Sequence, residues 1–161
     1  MITMLRVDDR LIHGQVAVMW SKALEVQRIL VVSDEIAKNE IQTSALLMAA
    51  PSGVKANVVS LEKGLRILND PRSESLRILV VVNQPKYVYE LTQALAEKPI
   101  VNVANYGRIG GTLSSKQKIS DTVYLTGDEK DLLTEVVDLG NEVIHQPLPN
   151  DPKLLLKDLM K

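Results

Sequence analysis

The chain contains no cysteine. It therefore has no disulfide frame, which fits a reducing cytoplasm. Histidine is almost as scarce, with His13 and His145 the only two. No HxxxH or HxH spacing occurs, so a histidine-based metal site is not expected. There is no GxSxG elbow for a serine hydrolase. There is no GxGxxG or GxxxxGK[ST] loop either; Gly107, Gly110 and Gly111 are wrongly spaced for a nucleotide-binding turn. An excess of charge of one sign is also missing: 19 basic against 20 acidic residues give a net charge of −1. That argues against nucleic acid or an anionic membrane as the main partner. The apolar runs are far too short to span a bilayer. Acids within the first ten residues argue against a signal peptide.

What remains has ordinary globular proportions, 45% hydrophobic and 24% charged over 161 residues. That length suits one domain, 1–161, with a sizeable core. Short apolar runs alternate with helical patterns, with no linker, repeat or low-complexity segment between them. Strands are predicted at Met1–Val7, Arg28–Ser33, Ala56–Val59, Arg77–Val82, Ile100–Ala104, Thr122–Leu125 and Glu142–His145. Asn39 and Ser60 are placed to cap helices. Ile41, Ala45 and Met48 share one helix face, and Leu61, Leu65 and Leu68 another. Pro85 opens a further helix, with Val88, Leu91 and Leu95 inward. Asp128 leads the next, with Leu132, Val136 and Leu139 inward and Gly140 as its stop. A last helix is expected over Lys153–Met160. The alternation predicts an α/β fold with a mostly parallel sheet, helices on both faces and right-handed crossovers.

Chemistry concentrates in Arg6-Val7-Asp8-Asp9-Arg10-Leu11-Ile12-His13-Gly14-Gln15-Val16. Val16, Met19, Trp20, Ala23 and Leu24 follow at helical spacing, so His13 falls in a strand-to-helix loop. In an open α/β sheet such loops lie at the carboxyl edge, where ligands bind. Gly14 allows close backbone approach, and the first helical turn offers free N–H groups to an anion. A histidine there can act as base, ligand or phosphoryl acceptor. Acceptance needs only a neutral ring nitrogen, anion-stabilising amides and a cation, for which Arg10 is at hand. Asp8 or Asp9 can orient the ring by accepting its N–H. Gln15 can donate to a bound phosphoryl group. Trp20 reads as core, and His145 as a structural surface or edge histidine. A second stretch, Asn105-Tyr106-Gly107-Arg108-Ile109-Gly110-Gly111-Thr112 continuing to Ser120, reads as a long loop. Its length and its arginine, Arg108, point to function.

The string Val7-Asp8-Asp9-Arg10-Leu11-Ile12-His13-Gly14-Gln15-Val16 closely resembles the active-site motif of the IIB components of the mannose/fructose/sorbose family. These belong to the bacterial phosphoenolpyruvate-dependent sugar phosphotransferase system. The resemblance covers essentially the whole chain. It implies an open twisted seven-stranded sheet, parallel except for one strand. It implies that His13 takes a phosphoryl group on Nδ1 from a phosphohistidine of IIA and hands it to a sugar held by membrane IIC and IID components. Arg10 would help hold the group, with Asp8 and Asp9 in the catalytic cluster and Gly14, Gln15 and Arg108 as phosphoryl-binding candidates. No cofactor or metal is implied. The location would be cytoplasmic, peripheral to the permease. The sugar and any homo-oligomeric state stay open. The chain departs from the family at Ala104, where its Asn-x-Gly landmark usually has glycine. Two other classes compete. A receiver domain also carries an acid pair after its first strand, but here no third acid follows the third strand. A non-catalytic regulatory domain with a vestigial motif is the other.

Overall fold

Runs of β-branched residues lose little by being extended and fit a surface covered on both sides. In the computed structural model, which describes residues 1–108 and 115–161, these runs form the centre of one sheet. Strands β1 (Ile2–Asp8), β2 (Arg28–Val32), β3 (Lys55–Val59), β4 (Ile78–Val82), β5 (Val101–Asn105), β8 (Val143–His145) and β9 (Leu154–Leu155) lie in the order β3-β2-β4-β1-β5-β8-β9. The first six run parallel, and β9 pairs antiparallel with β8. Strand β1 sits between β4 and β5, with Leu5 opposite Val80 on one side and Val101 on the other.

Alternation along each strand sends side chains to two layers. Leu5, Val7, Val80 and Val82 face a layer closed by helices α4 (Leu61–Leu68), α5 (Pro85–Ala94), α6 (Gly127–Asp138) and α7 (Leu156–Leu159). Met4, Val31, Leu79 and Val81 face the layer closed mainly by α1 (Gly14–Ala23). Helices α2 (Asp34–Ala37) and α3 (Glu40–Met48) flank that second layer through half-buried Ile36 and Leu46. The mostly parallel seven-stranded sheet with helices on both faces is therefore as expected.

Three details differ. Val123–Leu125 (β7) is not in the main sheet: it pairs with β6 (Gln117–Ser120) in a separate antiparallel ribbon. The expected loop from Leu113 to Ser120 therefore ends in a strand; residues 109–114, including Gly110 and Gly111, lie outside the described residues. The seventh place in the sheet goes to Leu154–Leu155, assigned above to the last helix. After Pro152 the chain runs extended, satisfies the free edge of β8 and only then turns into α7, one helical turn long. The third difference is in α3. Its cap is as expected, the Asn39 carboxamide accepting from Gln42 N–H at 3.0 Å. Its Ile41–Ala45–Met48 face, however, looks outward, with Ile41 84% and Met48 87% exposed.

Candidate functional site

Strand alternation puts Arg6 and Asp8, two residues apart, on the same face of β1. That face lies under α1, so both are buried: Arg6 is 3% and Asp8 0% exposed. Neither charge is solitary. Asp8 Oδ2 accepts from the Arg6 guanidinium at 3.2 Å, and the Arg6 guanidinium lies 5.6 Å from the Trp20 ring centre on α1. Burial pulls the Arg6 pKa down, and the neighbouring Asp8 carboxylate opposes the shift.

The chain then turns sharply. Leu11 N–H bonds Asp8 C=O at 2.9 Å, and Asp8 Oδ1 accepts Arg10 N–H at 2.9 Å. Leu11 takes φ 60°, a left-handed conformation disfavoured for a branched side chain. Its burial beside Ile12 holds it there. The turn folds the Arg10 side chain back over Asp8, with Nε at 3.1 Å from Oδ1 and a terminal nitrogen at 3.3 Å from Oδ2. The other terminal nitrogen reaches His13 Nε2 at 2.8 Å. A guanidinium only donates, so Nε2 accepts and the neutral ring carries its proton on Nδ1.

His13 is the N-cap residue of α1, in an extended conformation with no capping hydrogen bond from its side chain. No acid stands in the first turn. The ring is half-buried, while Gly14 and Gln15 are exposed. The first N–H groups of the helix therefore follow His13 directly with no side-chain cap and no acid in the first turn, the polarity that attracts an anion. Gly14 has φ 45°, and a Cβ there would meet nothing within 4 Å, so space is left above the helix start.

The acid pair does not orient the ring directly. Among the described residues, Asp8 reaches His13 only through Arg10. Asp9 turns the other way, toward the exit of β5, where Oδ1 accepts from Asn105 Nδ2 at 2.8 Å and Oδ2 from Gly107 N–H at 3.2 Å. The Asn-x-Gly that matters here is Asn105-Tyr106-Gly107, three residues beyond the position first aligned. Ala104 is fully buried within β5. Gly107 has φ 89°, and a Cβ on it would collide with the Tyr124 carbonyl oxygen. Exposed Arg108 acts electrostatically on Asp121, helping to keep that carboxyl below its usual range after the stronger effect of Lys118. Trp20 is core as expected and also ties α1 to the far end of the chain, donating from Nε1 to Pro147 C=O at 2.9 Å. His145 is structural, though buried rather than on the surface, with Nδ1 at 2.7 Å from Val103 C=O.

Arg6, Asn105 and Gly107 are the residues around Asp8 and Asp9 to which sequence pattern gave no specific role. The two-residue spacing from Asp8 was the available signal for Arg6. For Gly107 it was the Asn-x-Gly pattern itself.

A histidine at the start of the helix that follows a central strand, at the carboxyl edge of a mostly parallel sheet with helices on both faces, is the arrangement of an open α/β protein. Within that class, the chain belongs to the sorbose subfamily of phosphotransferase-system IIB components, whose family model matches residues 2–161. It is 41% identical over 162 residues to a probable phosphotransferase enzyme IIB component of Streptococcus pyogenes, covering 99% of each chain. It is 35% identical over 161 residues to the mannose-specific EIIAB component of Escherichia coli, spanning 99% of this chain but 48% of that one. The crystal structure of the IIB domain of the sorbose permease from Klebsiella pneumoniae superposes with a TM-score of 0.91 at 29% identity, covering 99% of this chain and 95% of that one. IIB components are phosphotransferases of the sugar phosphotransferase system. No helix among the described residues is long and apolar enough to cross a membrane.

Proposed function

We propose that this protein is a phosphocarrier enzyme in which His13 accepts a phosphoryl group from a phosphohistidine of IIA and passes it to a sugar during uptake. The observation that carries this is the placement of His13 at the open N-terminus of α1 with Arg10 2.8 Å from its ring. Amides and a guanidinium stabilise transferring phosphoryl oxygens without holding them as tightly as a metal would. In the transfer, the Nδ1 lone pair forms the new P–N bond. The donor's P–N bond breaks, and its electron pair returns to the donor imidazole. For Nδ1 to act, Arg10 releases Nε2, and the ring proton moves from Nδ1 to Nε2 through the solvent that reaches the ring.

The EIIAB relative carries a IIA part in its name, consistent with a IIA protein as donor. The membrane IIC and IID components would hold the sugar, and this chain would work in the cytoplasm against them. Gly14 and Gln15 would line the phosphoryl site. Arg108 would be a further, weaker contributor to that site.

The test is phosphorylation from phosphoenolpyruvate through the general phosphotransferase enzymes and IIA. The protein should take up an acid-labile phosphoryl group. His13→Ala should abolish uptake, whereas His145→Asn, whose amide replaces the Nδ1 donor to Val103, should not. Uptake that survives in His13→Ala would remove His13 from this role.

A further inference from the structure

Arg6 is an expensive residue for its place. It lies beside Ala17, Trp20, Ile29 and Leu79, and one terminal nitrogen, Nη1, is buried without a hydrogen-bond partner among the described residues. An unsatisfied buried donor costs free energy that an aliphatic side chain would not. Stability alone therefore does not account for an arginine here. Its neighbourhood offers another reason. Asp8 is fully buried and accepts from two guanidinium groups of unequal freedom. The Arg6 side chain is 4% exposed and lies against Trp20, while that of Arg10 is 38% exposed and reaches His13. Only Arg10 can move without unpacking the core.

We propose that Arg6 is a positioning residue for phosphoryl transfer: it is the resident counter-ion of Asp8, and this leaves Arg10 free to follow the phosphoryl group. The proposal rests on the assignment of His13 as acceptor. With Arg6 present, one carboxylate faces two guanidinium groups, and one positive charge is in surplus. With Arg6 removed, Asp8 would claim Arg10 for itself, because a buried carboxylate without a partner is strongly unfavourable. Arg10 would then stay bonded to Asp8, and an arriving dianionic phosphoryl group would find no uncommitted cation. It also could not release His13 Nε2 readily, so the ring proton would stay on Nδ1, the atom that must attack. The assembly thus divides two tasks between two arginines: Arg6 neutralises the interior and Arg10 serves the reaction.

A cycle of Arg6→Met and Asp8→Asn tests this. Transfer from phosphorylated IIA is followed at saturating donor and scaled to the folded fraction from circular dichroism. Arg6→Met should slow transfer by roughly tenfold or more, in the range seen for residues that orient catalytic groups. The half-saturating donor concentration should not change, since Arg6 is buried. Arg6→Lys should recover much of the rate. Arg6→Met in the Asp8→Asn background should match Asp8→Asn alone, because a neutral residue 8 needs no counter-ion. Arg6→Met folding and transferring at the wild-type rate would overturn the proposal. So would a double variant far slower than Asp8→Asn, and that comparison still decides if Arg6→Met alone does not fold. Failure of the wild-type protein to acquire a phosphoryl group at His13 would instead strike the acceptor assignment itself.

Discussion

Residue 10 is where the charge of the site meets its solvent. Removing the Arg10 guanidinium takes away the cation proposed to follow the phosphoryl group, and loss of one such donor typically costs about 3 kcal/mol of transition-state stabilisation. Arg10→Ala should therefore slow transfer by two to three decades in a stopped-flow assay while leaving the fold intact. Lysine should restore only part, lacking the fork that spans Asp8 and His13. Two glycines make a second prediction. At Gly14 an added Cβ meets open space and only the left-handed backbone resists it, so Gly14→Ala should cost about 1 kcal/mol in urea unfolding. At Gly107 the same change collides with the Tyr124 carbonyl as well, and Gly107→Ala should cost clearly more. His13, Arg10 and their place beside a helix start were legible in the sequence, because that signal is local. The partners of Asp8 and Asp9 were not. Which way two adjacent carboxylates turn depends on the strand pleat and on a strand a hundred residues away.

Among the elements, the exits of β2 and β4 are joined through Glu35 on α2. Its carboxylate accepts from Tyr87 Oη at 2.7 Å, Ser33 Oγ at 2.9 Å and Gln84 Nε2 at 3.1 Å, with Lys86 at 3.5 Å. The Tyr87 hydrogen bond is the main reason its pKa is lowered from 4.5 to about 2. A carboxyl depressed in the folded state adds stability above its unfolded pKa and loses it as pH falls through the folded value. The advantage of wild type over Glu35→Gln in urea midpoint should therefore be full at pH 6 and shrink between about pH 4.5 and 2. Because the side chain is 51% exposed, that advantage should be no more than about 1 kcal/mol. Buried strands were readable from β-branched runs, and caps from Asn39 and Ser60. The cap of α6 is legible too, though two residues before Asp128: Thr126 and Glu129 form a capping box around it. Helix phase was less secure, since Leu133 rather than Leu132 is buried in α6. Periodicity shows that a face exists, and only the packed neighbours decide whether it is covered, as α3 illustrates.

At the scale of the whole molecule, the site is a charge arrangement closed by protein groups. Asp8 is committed to two arginines and Asp9 to Asn105 and Gly107, so no free acid pair faces His13. Transfer from phosphorylated IIA, freed of the magnesium-requiring first enzyme, should therefore run unchanged in excess EDTA. A chelator that halts this isolated step would require a cation at the acids. The position of β1 has a further consequence, in time rather than space. The motif lies within residues 7–16, yet its strand pairs with residues 78–82 and 101–105, and Trp20 is fastened to Pro147. On a ribosome adding about 5–20 residues per second, several seconds and most of the chain must pass before those partners emerge. The motif is thus translated well before the strands that hold it, and a nascent chain reaching only as far as residue 77 would carry the whole motif with no place yet built to hold it.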